Sequence, residues 1–171
     1  MGLDMYLYKK TYVKNWDHNP EEQKTSVSVK LAGKKHPSVN PRKVTNIEEE
    51  VGYWRKANQI HQWFVNNVQN GVDECQESYV DVEKMKELLQ TCLAIKNETK
   101  VKAGMITNPE FAEELLPTQG GFFFGGTEYD EYYMGEINDT IKILETELLK
   151  VEELSKLPTP IISDYYYRAS W

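Results

Sequence analysis

Arg55, Asn58 and His61 stand three residues apart in the stretch VGYWRKANQIHQWFVNNV, Val51 to Val68. Side chains three apart on a helix share a face, so this spacing predicts a polar row. A guanidinium, an amide and an imidazole are the donor types that read phosphate and ribose, and Trp54 and Trp63 add flat faces on which a base can stack. The chemistry this predicts is the binding of an anionic, nucleotide-like small molecule. The competing explanation is a set of hydrogen-bonded residues at the edge of a core, and for His61 binding is a better reading than general-base catalysis.

A second set lies in LPTQGGFFFGGTEYDEYY, where three phenylalanines sit between two Gly-Gly pairs. Phe122, Phe123 and Phe124 cannot all face one way, so the stretch is either a buried strand or a loop folded over something. Read as a flap, it adds Thr118, Phe123, Thr127 and Tyr129 to the ligand-binding candidates Arg55, Asn58, His61 and Trp63. Glu128, Asp130 and Glu131 precede a long helix, where carboxylates favour the N-terminus; acid-base work or a magnesium site is the weaker explanation. Cys75 and Cys92 have no CxxC spacing, which predicts a turn residue and a core residue. No phosphate loop, GxSxG, HExxH or dinucleotide fingerprint occurs, and only three histidines are present. No catalytic residue, metal ligand set or cofactor is therefore assigned.

With 27 acidic against 20 basic residues the formal charge is −7. Such a chain is poorly suited to gripping long nucleic acid through phosphate neutralisation. Its cations are uneven: Lys24, Lys30, Lys34, Lys35, Arg42 and Lys43 gather in one segment, which reads as a solvated loop able to meet a small anion. No apolar run reaches the roughly 20 residues that cross a bilayer, and MGLDMYLYKK has no basic-then-apolar leader. Tyr6 stands where myristoylation expects Ser or Thr. The expectation is a cytoplasmic protein with no membrane partner.

The elements that must carry these residues fit one α+β domain over residues 1–171, with three main helices and a small, mostly antiparallel sheet. Gly2 to Val13 alternates and is aromatic, predicting a first strand inside the sheet; Thr25 to Leu31 and Lys43 to Glu50 predict shorter ones. Ala32 to Pro41 reads as a surface loop. The central amphipathic helix is expected from Val51 to Val68, with a capping signal at Asn46 to Glu49 and a glycine stop at Asn70-Gly71. Trp54, Ala57, Ile60, Phe64 and Val68 form its core stripe. Asp81 caps a second helix to about Lys96, Asn97 to Thr107 reads as a loop, and Asn108-Pro109 opens a short helix. Ile137, Ile141, Leu144, Leu148 and Val151 predict a long helix from Tyr129 to Leu154, packed against a partner helix of the same chain or of a homo-oligomer. The segment from Leu157 to Pro160 ends it, and Ile161 to Trp171 predicts a last strand that pairs with the first, placing Tyr6 and Tyr8 beside Tyr165 to Tyr167.

Four blocks, MGLDMYLYKK, VGYWRKANQIHQWFV, LPTQGGFFFGGTEYDEYY and YYYRASW, resemble a family of small uncharacterised proteins of bacteriophages and prophages. The resemblance spans nearly the whole chain and brings no catalytic residues with it. It implies an accessory phage protein acting in the host cytoplasm, the setting in which small proteins without enzyme motifs counter host defence. Combined with the polar row, it leads to a binding protein that sequesters a nucleotide-derived immune signal. The alternatives are a protein that inhibits a host enzyme by direct contact and a nucleotide hydrolase.

Overall fold

The computed structural model describes residues 2–158 and 161–171. β1 (Asp4–Tyr12) is built by alternation: Met5 and Leu7 are fully buried, while Tyr6 and Tyr8 turn to the opposite face. After a loop, β2 (Lys30–Leu31) and β3 (Lys34–Lys35) form a small separate hairpin. Ala32 and Gly33, both at positive φ, make its two-residue turn. The strand expected over Thr25 to Leu31 is thus reduced to its last two residues. Leu31 is exposed, Val27 and Val29 are only half-buried, and the hairpin stands apart from the four-stranded sheet, so the alternation lacks a core face to pack on.

β4 (Asn46–Arg55) corrects a larger expectation, because the central helix does not begin at Val51 and Asn46 to Glu49 caps nothing. Those residues pair antiparallel with β1 from Tyr12↔Asn46 to Asp4↔Arg55. Pairing satisfies the backbone groups on the side that faces β1 and places Gly52 and Trp54 in the core. A register shift opposite Leu7 and Tyr8 leaves Val51 as the extra residue of a bulge. Gly52 is required there by space: a Cβ would lie 2.8 Å from Ile143 Cγ2 and 3.2 Å from Leu7 Cβ.

The remaining elements follow in order: α1 (Asn58–Asn67), β5 (Ser78–Val80), α2 (Val82–Glu98), β6 (Val101–Lys102), β7 (Met105–Ile106), α3 (Pro109–Leu115), α4 (Glu131–Ser155) and β8 (Ser163–Ser170). The Asp81 carboxylate caps α2 by accepting from the Glu83 amide. β6 and β7 turn the expected loop at 97–107 into a tight hairpin. Gly71, at φ 78°, donates to the Val65 carbonyl at 2.8 Å and closes the chain leaving α1. Thr159 and Pro160, part of the segment read as ending the long helix, lie outside the described residues.

One four-stranded antiparallel sheet has the order β4-β1-β8-β5, so the first and last strands pair at its centre, with Tyr8 opposite Tyr166. α2 and α4 pack together through Met85, Leu88, Cys92, Ile137, Ile141 and Leu144, and with α1 they meet the sheet face that carries Leu3, Met5, Leu7, Tyr165 and Tyr167. The architecture is a single α+β layer pair. Among the described residues no helix is long and apolar enough to cross a membrane.

Candidate functional site

The chain reverses between β4 and α1 in only two residues. Lys56 takes a left-handed conformation, φ 63°, unusual for a residue with a long side chain. Ala57, at φ −73° and ψ 70°, forms an inverse γ-turn, closed by the Asn58 amide donating to the Lys56 carbonyl at 2.8 Å. The Lys56 amide donates to the Leu3 carbonyl at 2.8 Å, and the Leu3 amide donates to the Phe123 carbonyl at 3.0 Å. The end of β4, the N-terminal segment and the glycine-rich loop are thereby tied edge to edge.

Asn58 latches that loop. Its amide nitrogen donates to the carbonyls of Phe124 (3.1 Å) and Gly126 (2.8 Å), and its oxygen accepts from the Gln119 amide at 2.7 Å. Gly125 lies directly on Lys56: at φ 92°, a Cβ there would sit 2.9 Å from Lys56 Cβ. The Thr118 hydroxyl donates to the Thr127 carbonyl at 3.0 Å and its amide to the Tyr129 hydroxyl at 3.3 Å, pinning the two ends of the loop together. The three phenylalanines separate: Phe122 is 95% exposed, Phe123 is half-buried, and Phe124 packs edge-on against His61, ring centroids 5.2 Å apart. The stretch is a folded-over loop, not a buried strand.

Between this loop, the end of β4 and the start of α4 lies a cleft of about 340 Å³, lined by Arg55, Lys56, Gly125, Gly126, Glu128, Asp130, Tyr132, Tyr133 and Glu136. Its size is at the lower end of small-molecule sites. Asp130 is the N-cap of α4 and accepts from the amides of Tyr132 and Tyr133. Glu136 stands further along that helix; its Oε2 accepts from Gln59 Nε2 at 2.7 Å. Burial pushes the Glu136 carboxyl up to about 7; the Gln59 hydrogen bond opposes the rise, and the charges of Asp130 and Asp139 add to it. A carboxyl poised there can accept or release a proton at neutral pH.

The expected polar row is divided by the fold. Arg55 ends a strand and lines the cleft; Asn58 lies beneath the loop that roofs it. His61 is fully buried elsewhere, with Nε2 3.0 Å from Asp73 Oδ2 and Nδ1 2.7 Å from the Tyr167 hydroxyl. A carboxylate only accepts, so Nε2 carries a proton. Burial, and then the charge of Asp73, holds the Tyr167 phenol well above its usual range. Asp73 Oδ1 also accepts from Trp171 Nε1 at 3.2 Å, so His61 ties α1 to the C-terminal strand. Trp63 packs against Phe64 at the core's edge, outside the cleft. Thr118, Thr127 and Tyr129 brace the loop, and Phe123 contributes its carbonyl to Leu3. Lys56, Tyr132 and Glu136 were missed by the sequence reading. The Asp130 capping signal could have pointed to Tyr132 and Glu136 on α4, while nothing local marked Lys56.

Among the described residues no group of three or more His, Cys, Asp and Glu converges to hold a metal ion. Comparison with protein families, curated proteins and solved structures returns no match.

Proposed function

We propose that the chain is a phage-encoded protein that binds a small nucleotide-derived molecule, and that by sequestering an immune signal of this kind it counters host defence. The observation that carries the reading is the pair of cations on one side of the cleft: Arg55 and Lys56 can meet an anionic group there, across from Glu128, Asp130 and Glu136, and Tyr132, 74% exposed, offers a stacking face. The phage setting rests on the resemblance of the four sequence blocks. Isothermal titration against cyclic and linear nucleotides tests the reading; the expected result is saturable binding by at least one of them, weakened by Arg55→Ala. Absence of heat with every nucleotide overturns it. Recovery of the bound nucleotide intact after denaturation separates sequestration from hydrolysis.

A second reading, inhibition of a host enzyme by direct contact, is favoured by the sheet face turned away from the helices. Tyr53 and Tyr79 are 43% and 54% exposed there, and Tyr6 stacks on Tyr8 at 5.7 Å and meets Tyr53 at 5.4 Å. Exposed tyrosines are frequent anchors of protein interfaces, and the charges beside them are mixed, with Glu48 paired to Lys10 and Arg168 opposite Tyr6. On this reading Tyr53→Ser with Tyr79→Ser releases a stoichiometric host protein from pull-downs while Arg55→Ala retains it.

A further inference from the structure

The two walls of the cleft differ in kind, and the difference specifies a ligand. One wall, at the β4–α1 reversal, is cationic: Arg55 and Lys56. The other, at the start of α4, carries Glu136 with the N-cap Asp130 and Glu128 of the preceding loop. Asp130 is committed to capping the helix, and Glu128 is exposed to water. Glu136 is the half-buried member, and its geometry is asymmetric: Gln59 fixes Oε2, while Oε1 takes no hydrogen bond among the described residues. Gln59 is itself buried, so the carboxyl group is held in one orientation. Tyr133 donates its hydroxyl to the Leu116 carbonyl, which leaves it no proton to offer Glu136.

We infer, resting on the nucleotide-binding reading, that Glu136 is the base-reading residue of this cleft and that its ligand is a nucleotide whose base presents adjacent N–H donors, as guanine does. An ionised carboxylate accepts only. The guanine Watson–Crick edge offers an imino N–H and an exocyclic amine side by side; one enters the free Oε1, and the other takes the second lone pair of Oε2, shared with Gln59. Adenine offers one amine beside an acceptor nitrogen, which faces that carboxylate with like partial charge. The phosphate of either nucleotide meets Arg55 and Lys56 in the same way, so those two supply affinity without discrimination. The volume of about 340 Å³ admits a single nucleotide unit. Of the other titratable groups at the cleft, Asp130 and the nearby Asp139 hold the local field negative, which favours donors over acceptors at this wall.

Titration calorimetry with guanosine and adenosine monophosphates at about pH 8 tests this. Guanosine monophosphate is expected to bind about tenfold or more tightly than the adenosine compound, the discrimination that one good bidentate base contact gives. Glu136→Gln should reduce that preference to within about threefold, because an amide replaces one acceptor with a donor. Arg55→Ala should weaken both nucleotides by the same factor. Equal binding of the two nucleotides, or a preference that survives Glu136→Gln, overturns the role of Glu136 while leaving nucleotide binding intact. No binding of either monophosphate or of the cyclic and linear signals overturns the binding reading, and this inference with it.

Discussion

Glu136 shows how one side chain acquires properties that its local sequence does not announce. Within α4 it stands among Tyr133, Met134 and Ile137, and by itself it reads as one more solvated helix carboxylate. Only burial in the folded chain removes its water and, against the opposing hydrogen bond from Gln59, raises its carboxyl to about 7 from an ordinary 4.5. Between those values the folded state binds a proton that the unfolded chain has released. Stability from this group is therefore present below about pH 4.5 and falls as pH rises to about 7, by up to about 3 kcal/mol. Glu136→Gln removes the slope. Urea denaturation should find variant and parent alike near pH 4.5, with the variant more stable by about 1–3 kcal/mol near pH 8; a parent equally stable at both values would refute the burial argument. Arg55, by contrast, was identified from sequence as a candidate and does line the cleft, although it stands there as the end of a strand. Asn58 and His61 were equally visible, but an amide or an imidazole carries no local mark of whether it faces solvent or a carbonyl already in place.

At the scale of elements, the glycine-rich loop depends on contacts that span more than sixty residues. Asn58 supplies three of its hydrogen bonds from the first position of α1. Asn58→Ala leaves the Phe124 and Gly126 carbonyls and the Gln119 amide without that partner, at a cost of about 1–3 kcal/mol. Hydrogen exchange should rise across 117–128 while the amides of α2 keep their protection; uniform protection across both would show that Asn58 does not hold the loop. The same distance effect explains which elements could be read in advance. α2 and α4 carry caps and three-four apolar spacing within themselves, and their observed bounds lie within two residues of the predicted ones. β4 could not be separated from the helix that follows, because Trp54, Ala57 and Ile60 satisfy a helical stripe as well as a strand running into one. What decides the matter is Trp54 lying opposite Met5, some fifty residues away in sequence.

At the scale of the whole molecule, the first and last strands share the centre of the sheet, and a buried carboxylate of α4 meets both. Glu147 is 2% exposed. Its Oε1 accepts from Lys150 Nζ at 2.6 Å, its Oε2 accepts from the Tyr165 hydroxyl of β8 at 3.2 Å, and Lys9 of β1 approaches Oε2 to 3.9 Å while bonding Glu49 of β4 at 2.8 Å. Burial, and then the charge of Glu147, pushes the Tyr165 phenol above its usual range, so it remains a donor. The group fixes how α4 lies across three elements that are remote in sequence. Glu147→Leu leaves Lys9 paired with Glu49 but deprives the buried Tyr165 hydroxyl of its acceptor, at a cost of about 1–3 kcal/mol. Replacing both charges, Lys9→Met with Glu147→Leu, removes the 3.9 Å approach from both sides, and the double variant is expected to lose less than the sum of the singles. Urea denaturation of the two single variants and the double variant measures the coupling. If the double variant is destabilised by the sum of the singles, Lys9 and Glu147 act independently, and Lys9 has no part in how Glu147 seats α4.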